Sequence, residues 1–262
     1  MMMPFDIDPR FALSGLFVGL LVGQTGVGGG SLMTPLLVMA FGIHPATAVG
    51  TDLIYASATK SVGTLVHGIN HTVDWRIVRR LAYGSLPGTL LTLLLLSHLN
   101  FDGPAQTRMI TFLLGIMLIL TAIALLLRAQ ILARAGPTLD RLTPHQQMML
   151  TILTGLLLGT LVTMSSVGAG ALGVTALLLL YPRAPMAVIV GTDIAHAVPL
   201  TLLAGVGHWW LGSVDVGLLT SLLTGSIPGI IVGSWLAARM PEIVLRPVLA
   251  VTLAVVGVRI VL

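Results

Sequence analysis

Apolar residues run along this chain in long unbroken blocks, and polar residues collect in short stretches between them. Six blocks have the length of one membrane-spanning helix, about 20 residues. They cover 46–67, 77–97, 107–127, 187–207, 216–237 and 243–262. Two further apolar segments, 11–41 and 147–181, do not fit that length. A helix of 31 residues would extend roughly 46 Å, too long for one crossing and too short for two. Glycines interrupt each segment near its middle, at 28–30 and at 168–170. The pattern predicts pairs of half-helices that meet inside the membrane, as re-entrant hairpins or as short tilted spans.

The blocks recur in order. Gly50-Thr51-Asp52 returns as Gly191-Thr192-Asp193, His67 as His208, Val73-Asp74 as Val214-Asp215, and Gly84-Ser85-Leu86-Pro87-Gly88 as Gly225-Ser226-Ile227-Pro228-Gly229. These pairs lie 141 positions apart, and Val27-Gly28-Gly29-Gly30 matches Val167-Gly168-Ala169-Gly170 at 140. A register held over that distance implies duplication. It predicts one unit over 11–128, an inter-repeat loop over 129–146 and a second unit over 147–262. Each unit is a broken-helix hairpin followed by three spans.

Composition excludes the soluble alternatives. Of 262 residues, 56% are hydrophobic and 8% charged, against about 25% charged in soluble domains. The excess of 13 Lys+Arg over 9 Asp+Glu suits cytoplasmic loops and gives no reason to expect nucleic acid. With no cysteine, disulfides, thiolate metal sites and thiol catalysis are excluded together. The first ten residues carry Asp6 and Asp8 and no basic run, so they do not read as a cleaved signal peptide. If both hairpins are re-entrant, the two units are inverted. Arg76, Arg79, Arg80, Arg128, Arg134, Arg141, Arg183, Arg239 and Arg246 then share one side, and Arg10, Arg108 and Arg259 the other. A single full crossing by each opening segment would leave a weaker split, so the positive-inside rule favours inversion.

Ionisable residues inside a span are functional candidates by default. Three lie there: Asp52, Lys60 and Asp193. Asp52, Tyr55, Thr59 and Lys60 share one helical face. The matching face of the second unit is Asp193, His196, Leu200 and Thr201, so Lys60 has no counterpart. Two readings of Lys60 stay open, contact with an anionic solute and pairing with Asp52 or Asp193. For the aspartates a structural role is the stronger reading, tying the Gly-Thr-Asp turns, with Thr51 and Thr192, to the broken helices. His196 is a candidate proton carrier because imidazole titrates near neutral pH, although a lone membrane histidine is more often a packing residue. Gly28, Gly29, Gly30 and Ser31, with Gly168, Ala169 and Gly170, stand where a helix restarts. Glycine admits close approach to the backbone, and a helix N-terminus suits an anion; tight helix packing is the bland alternative. His67 and His208 lie at helix ends and read as interfacial. Trp75, Trp209 and Trp210 fit an aromatic belt. Asn70-His71-Thr72 is a formal glycosylation sequon but a weak signal. No catalytic or metal-binding signature occurs, and no cofactor is implied.

The run Gly26-Val27-Gly28-Gly29-Gly30-Ser31-Leu32, then Pro35 and Ala48-Val49-Gly50-Thr51-Asp52, resembles the first half of the sulfite exporter TauE/SafE family. Val167-Gly168-Ala169-Gly170, Val190-Gly191-Thr192-Asp193 and both Gly-Ser-x-Pro-Gly blocks resemble the rest of it, so the likeness covers about 11–262. It implies an inner-membrane carrier for sulfite, thiosulfate or short organic sulfonates such as sulfoacetate, often exporting them. The second unit departs from the pattern with Ala169 and Ala171 in place of Gly29 and Ser31.

The expectation is therefore an all-α, multi-pass membrane carrier of a small anion working by alternating access, with proton coupling and homo-oligomerisation left open. A passive anion channel and a non-transporting membrane scaffold are the rivals.

Overall fold

The computed structural model describes residues 7–25, 30–98, 104–139, 142–237 and 242–261. Gly28, Gly29, Arg141 and Arg239 lie outside the described residues. Among those described there are eleven helices and no strand. They are α1 (Pro9–Thr25), α2 (Gly30–Ala40), α3 (Pro45–Ile69), α4 (Trp75–His98), α5 (Pro104–Leu126), α6 (Arg128–Leu139), α7 (Pro144–Ser165), α8 (Ala171–Leu180), α9 (Met186–Trp210), α10 (Val216–Ala237) and α11 (Glu242–Val261). A helix satisfies its own backbone, which hydrocarbon cannot do. Prolines start α3 and α7, where the missing N–H is harmless. Thr143 and Gln146 close a capping box on α7.

Five helices are long and apolar enough to cross a membrane among the described residues: α4, α7, α9, Arg108–Leu126 of α5 and Val216–Gly233 of α10. The 25-residue α3 has the length, but its inward face is polar. Thr51, Asp52, Ser57, Thr59 and Lys60 are buried, while Leu65, Val66 and Ile69 are exposed. Elsewhere Phe17, Leu91, Phe112, Leu157 and Ile231 also face outward. Polar residues inside and apolar residues outside is the arrangement lipid selects.

Two results differ from the sequence expectation. The linking segment 129–146 is not wholly a loop, because α6 occupies Arg128–Leu139. Its arginines and Gly136-Pro137 suggested a loop, but Ala129, Ile131, Leu132, Ala133 and Ala135 are helix formers or tolerate a helix well. The broken segments also have unequal arms. At about 1.5 Å per residue, the 22-residue α7 is long enough to cross, whereas α8 has 10 residues.

α1 packs along α10, α4 along α7, α3 along α9 and α5 along α11. The first two crossings are parallel and very close. A Cβ on Gly84 would collide with the Ile152 carbonyl, and one on Gly155 with that of Leu81. At the corresponding positions, Gly225 lies against Ala12 and Gly15 against Leu222. α3 and α9 cross antiparallel, with Gly63 against Ile194 and Gly205 against Ile54.

The two ends of each opening segment lie together. The Gln147 side-chain amide donates to the Leu180 carbonyl, and Thr151 bonds the Tyr181 hydroxyl, so α8 ends beside the start of α7. Phe41, just after α2, stacks on Phe11 near the start of α1. The helix ends sort accordingly. Arg76, Arg79, Arg80, Arg128, Arg134 and Arg183 fall at the end of the bundle where α4, α7 and α9 begin. Arg10, Arg108 and Arg259 fall at the opposite end.

Candidate functional site

Each residue of the Gly-Thr-Asp triplet makes a different contact. Gly50 lies against the Ser213 carbonyl and Gly191 against that of Thr72, each too close for a Cβ. The threonines hold the same loops: Thr51 Oγ1 accepts from the Asp215 N–H at 3.1 Å and Thr192 Oγ1 from the Asp74 N–H at 2.9 Å. The aspartates turn inward toward the short helices. Asp52 Oδ2 accepts from the Thr34 hydroxyl of α2 at 2.5 Å and from the Ser166 hydroxyl at 2.9 Å. Asp193 Oδ1 presses on the first turn of α8 at Gly173, where a Cβ would overlap it.

The second break is described in full. Ser166, Gly168 and Gly170 have φ of 57°, 110° and 127°, the left-handed region that glycine enters at little cost. This turns the Ala169 carbonyl away from α8, where the Lys60 ammonium donates to it at 3.2 Å. Lys60 makes no ion pair within 4.0 Å: among the described residues Arg10–Asp8 is the only one. Its charge still couples to both carboxylates, to Asp193 more than to Asp52. Lys60, Asp52 and Asp193 are 5%, 0% and 1% exposed, so three ionisable groups share a dry interior.

Several buried polar atoms around them have no hydrogen-bond partner: Ser31 Oγ, Asp52 Oδ1, Tyr55 Oη, Ser226 Oγ and both oxygens of Asp193. Buried polar groups are normally satisfied, and here the unpartnered ones recur on α2, α3, α9 and α10. His196 Nε2 shares a hydrogen bond with Ser85 Oγ at 2.8 Å. At the corresponding positions Tyr55 and Ser226 face each other without reaching hydrogen-bond geometry.

Of the sequence candidates, Ser31, Asp52, Tyr55, Lys60, Asp193 and His196 are buried side chains on the facing helices. Gly168, Ala169 and Gly170 form the break that carries the Lys60 contact, and Gly30 starts α2. Thr51 and Thr192 are engaged by the loops. Thr34, Ser166, Ser85 and Ser226 were not singled out from the sequence. The last two sit inside the repeated Gly-Ser-x-Pro-Gly blocks, a signal that was there to use. His208 lies at its helix end beside Trp209 but is buried, 3% exposed, with Nε2 on the Thr163 carbonyl at 2.9 Å. The Gly50 contact draws that end of α9 into the bundle. His67 is only half-buried and bonds Thr72. Trp75, Trp209 and Trp210 are exposed at helix ends, as expected of a belt. A surface cavity lined by Leu139, Gln147, Tyr181 and Arg183 opens at one end of the bundle and contains none of the candidate residues.

A helical bundle with apolar outer faces and span-length helices defines a multi-pass membrane protein. Comparison with known proteins agrees, and the chain belongs to the sulfite exporter TauE/SafE family, whose model matches residues 11–260. It is 40% identical over 250 residues to the probable membrane transporter protein YjnA of Bacillus subtilis (strain 168), covering 95% of this chain and 98% of that one. It is 28% identical over 242 residues to the probable membrane transporter protein YdhB of the same organism, covering 92% and 94%. A probable membrane transporter protein of Xylella fastidiosa (strain 9a5c) is 28% identical over 228 residues, covering 86% and 83%. No solved structure matches. The family and these relatives mark a transporter of a small solute across a bilayer.

Proposed function

We propose that this protein is a secondary carrier that moves sulfite, thiosulfate or a short organic sulfonate outward across the inner membrane, by alternating access at Lys60. The observation that carries the reading is the buried Lys60 ammonium held at the break before α8, with unpartnered polar atoms of Ser31, Tyr55 and Ser226 also buried in the bundle. An oxyanion supplies the acceptors these donors lack, and membership of the sulfite exporter family points to sulfur chemistry. Gly30 and Ser31 at the start of α2, and Gly168, Ala169 and Gly170 before α8, give the anion its approach to backbone.

Two inverted units over 11–128 and 147–262, with re-entrant opening hairpins, form the scaffold of this proposal. Matched glycine crossings at positions 140 or 141 apart and the antiparallel α3–α9 crossing support it. So do the loop contacts of Thr51 and Thr192, one at each end of the bundle. Such pairs give a carrier two alternative closures around a midplane site. The arginine-rich end is then cytoplasmic. Reporter fusions after Arg134 and after Leu262 are expected to report opposite sides of the membrane; the same side for both contradicts inversion.

A thermal-shift screen of the purified protein tests the substrate class. Sulfite, thiosulfate or short sulfonates should raise the melting temperature at concentrations where carboxylates of equal charge do not, since bound ligand stabilises by mass action. Stabilisation by carboxylates alone would remove the sulfur oxyanion from the reading.

A further inference from the structure

The buried cluster is one positive charge short. Two carboxylates, Asp52 and Asp193, face one ammonium, Lys60, and all three are withdrawn from water. An incoming anion adds another negative charge to this group. Buried charge without compensation is strongly unfavourable, so one carboxylate has to lose its charge when the anion arrives.

The two aspartates are not equivalent candidates. Asp52 Oδ2 already receives the Thr34 and Ser166 hydroxyls, donors that suit a carboxylate keeping its charge. Asp193 has no hydrogen-bond partner on either oxygen. It corresponds to Asp52, but Val174 stands where the first unit has Thr34, and the hydroxyl of the adjacent Thr175 is given to the Ala171 carbonyl. Asp193 is also the group whose charge acts most on Lys60. The other titratable groups described on the elements around it are already engaged. α3 presents Lys60 and Asp52, with His67 beside Gly191 and bonded to Thr72, and α9 itself carries His196, engaged with Ser85, and His208, on the Thr163 carbonyl. The described lengths of α7 and α8 have no acidic or basic side chain beyond His145 at the far start of α7, and the arginines of α4 lie in its first two turns at the bundle end.

We propose that Asp193 takes up one proton when the anion binds at Lys60, so that anion and proton move together. The inference rests on the anion site proposed above. The step is an association only: Asp193 carboxylate plus a proton gives the carboxylic acid, and the Lys60 charge, no longer offset by that carboxylate, pairs with the anion.

The test uses the full-length purified protein with methanesulfonate and ethanesulfonate, monovalent anions that carry no titratable proton of their own near neutral pH. Proton uptake on mixing is read with an indicator dye in weak buffer, and affinity is measured across the same pH range. Wild type is expected to take up one proton per anion bound, with the dissociation constant rising about tenfold per pH unit on the alkaline side. Asp193→Asn imitates the protonated side chain, so it should bind with a flat pH profile and no proton uptake. Wild-type binding without proton uptake overturns the coupling and leaves the anion site standing, a result that needs no variant to fold. Uptake that persists in Asp193→Asn moves the proton elsewhere and overturns the assignment. If neither probe binds wild type at all, the anion site itself fails and takes this inference with it.

Discussion

Lys60→Met should weaken binding of the transported anion by on the order of ten- to hundredfold, because a hydrogen bond to a charged group is worth about 1.5–3 kcal/mol net. The same ammonium holds the Ala169 carbonyl and offsets Asp193, so the substitution also has a structural arm. The arms separate in paired variants. If Lys60 mainly neutralises a carboxylate, Lys60→Met leaves Asp193 uncompensated and lowers the melting temperature, and Lys60→Met with Asp193→Asn restores both melting and binding. If Lys60 contacts the anion, the double variant recovers melting but not affinity. Lys60→Arg keeps the charge and should be partly tolerated, with geometry the remaining loss. Thermal melting and ligand titration on the same samples decide between these outcomes.

The second large effect is expected at the helix crossings. Gly84 and Gly155 bring α4 and α7 so close that any side chain on either meets carbonyl oxygen of the facing helix. Membrane helices have little hydrophobic drive to associate and depend on such close packing. Leucine at Gly155 must push α7 off α4, an overpacking loss of about 1–3 kcal/mol or more. It should lower melting and folded yield sharply. Leucine at Gly68, which has open space around its missing side chain, is the matched control and should leave melting near wild type. Equal melting for the two variants would show that the α4–α7 crossing is loose.

Much of this arrangement was legible in the sequence, for a physical reason. In lipid the apolar blocks are set by bilayer thickness, so 216–237 coincides with α10 and 46–67 falls within α3. The rarity of charge inside those blocks pointed at once to Asp52, Lys60 and Asp193. What stayed hidden depends on contacts between distant positions. Nothing near Asp52 in the chain announces Ser166, which reaches it across 114 positions through a left-handed turn. The burial of His208 follows from packing against Gly50. The unequal hairpin arms are countable in the sequence, since the glycines at 168–170 leave 21 residues of 147–181 before them and 11 after. α6 was missed because its arginines weighed more than its alanines.

The central claim is that the protein carries a small sulfur oxyanion or sulfonate by alternating access. Counterflow in proteoliposomes tests it most directly. Vesicles loaded with unlabelled thiosulfate or sulfoacetate, and diluted into a trace of the labelled anion, should accumulate label transiently above equilibrium. Lys60→Met should abolish that overshoot. Label that only equilibrates, at a rate unaffected by anion inside, would identify a passive pore and contradict the account.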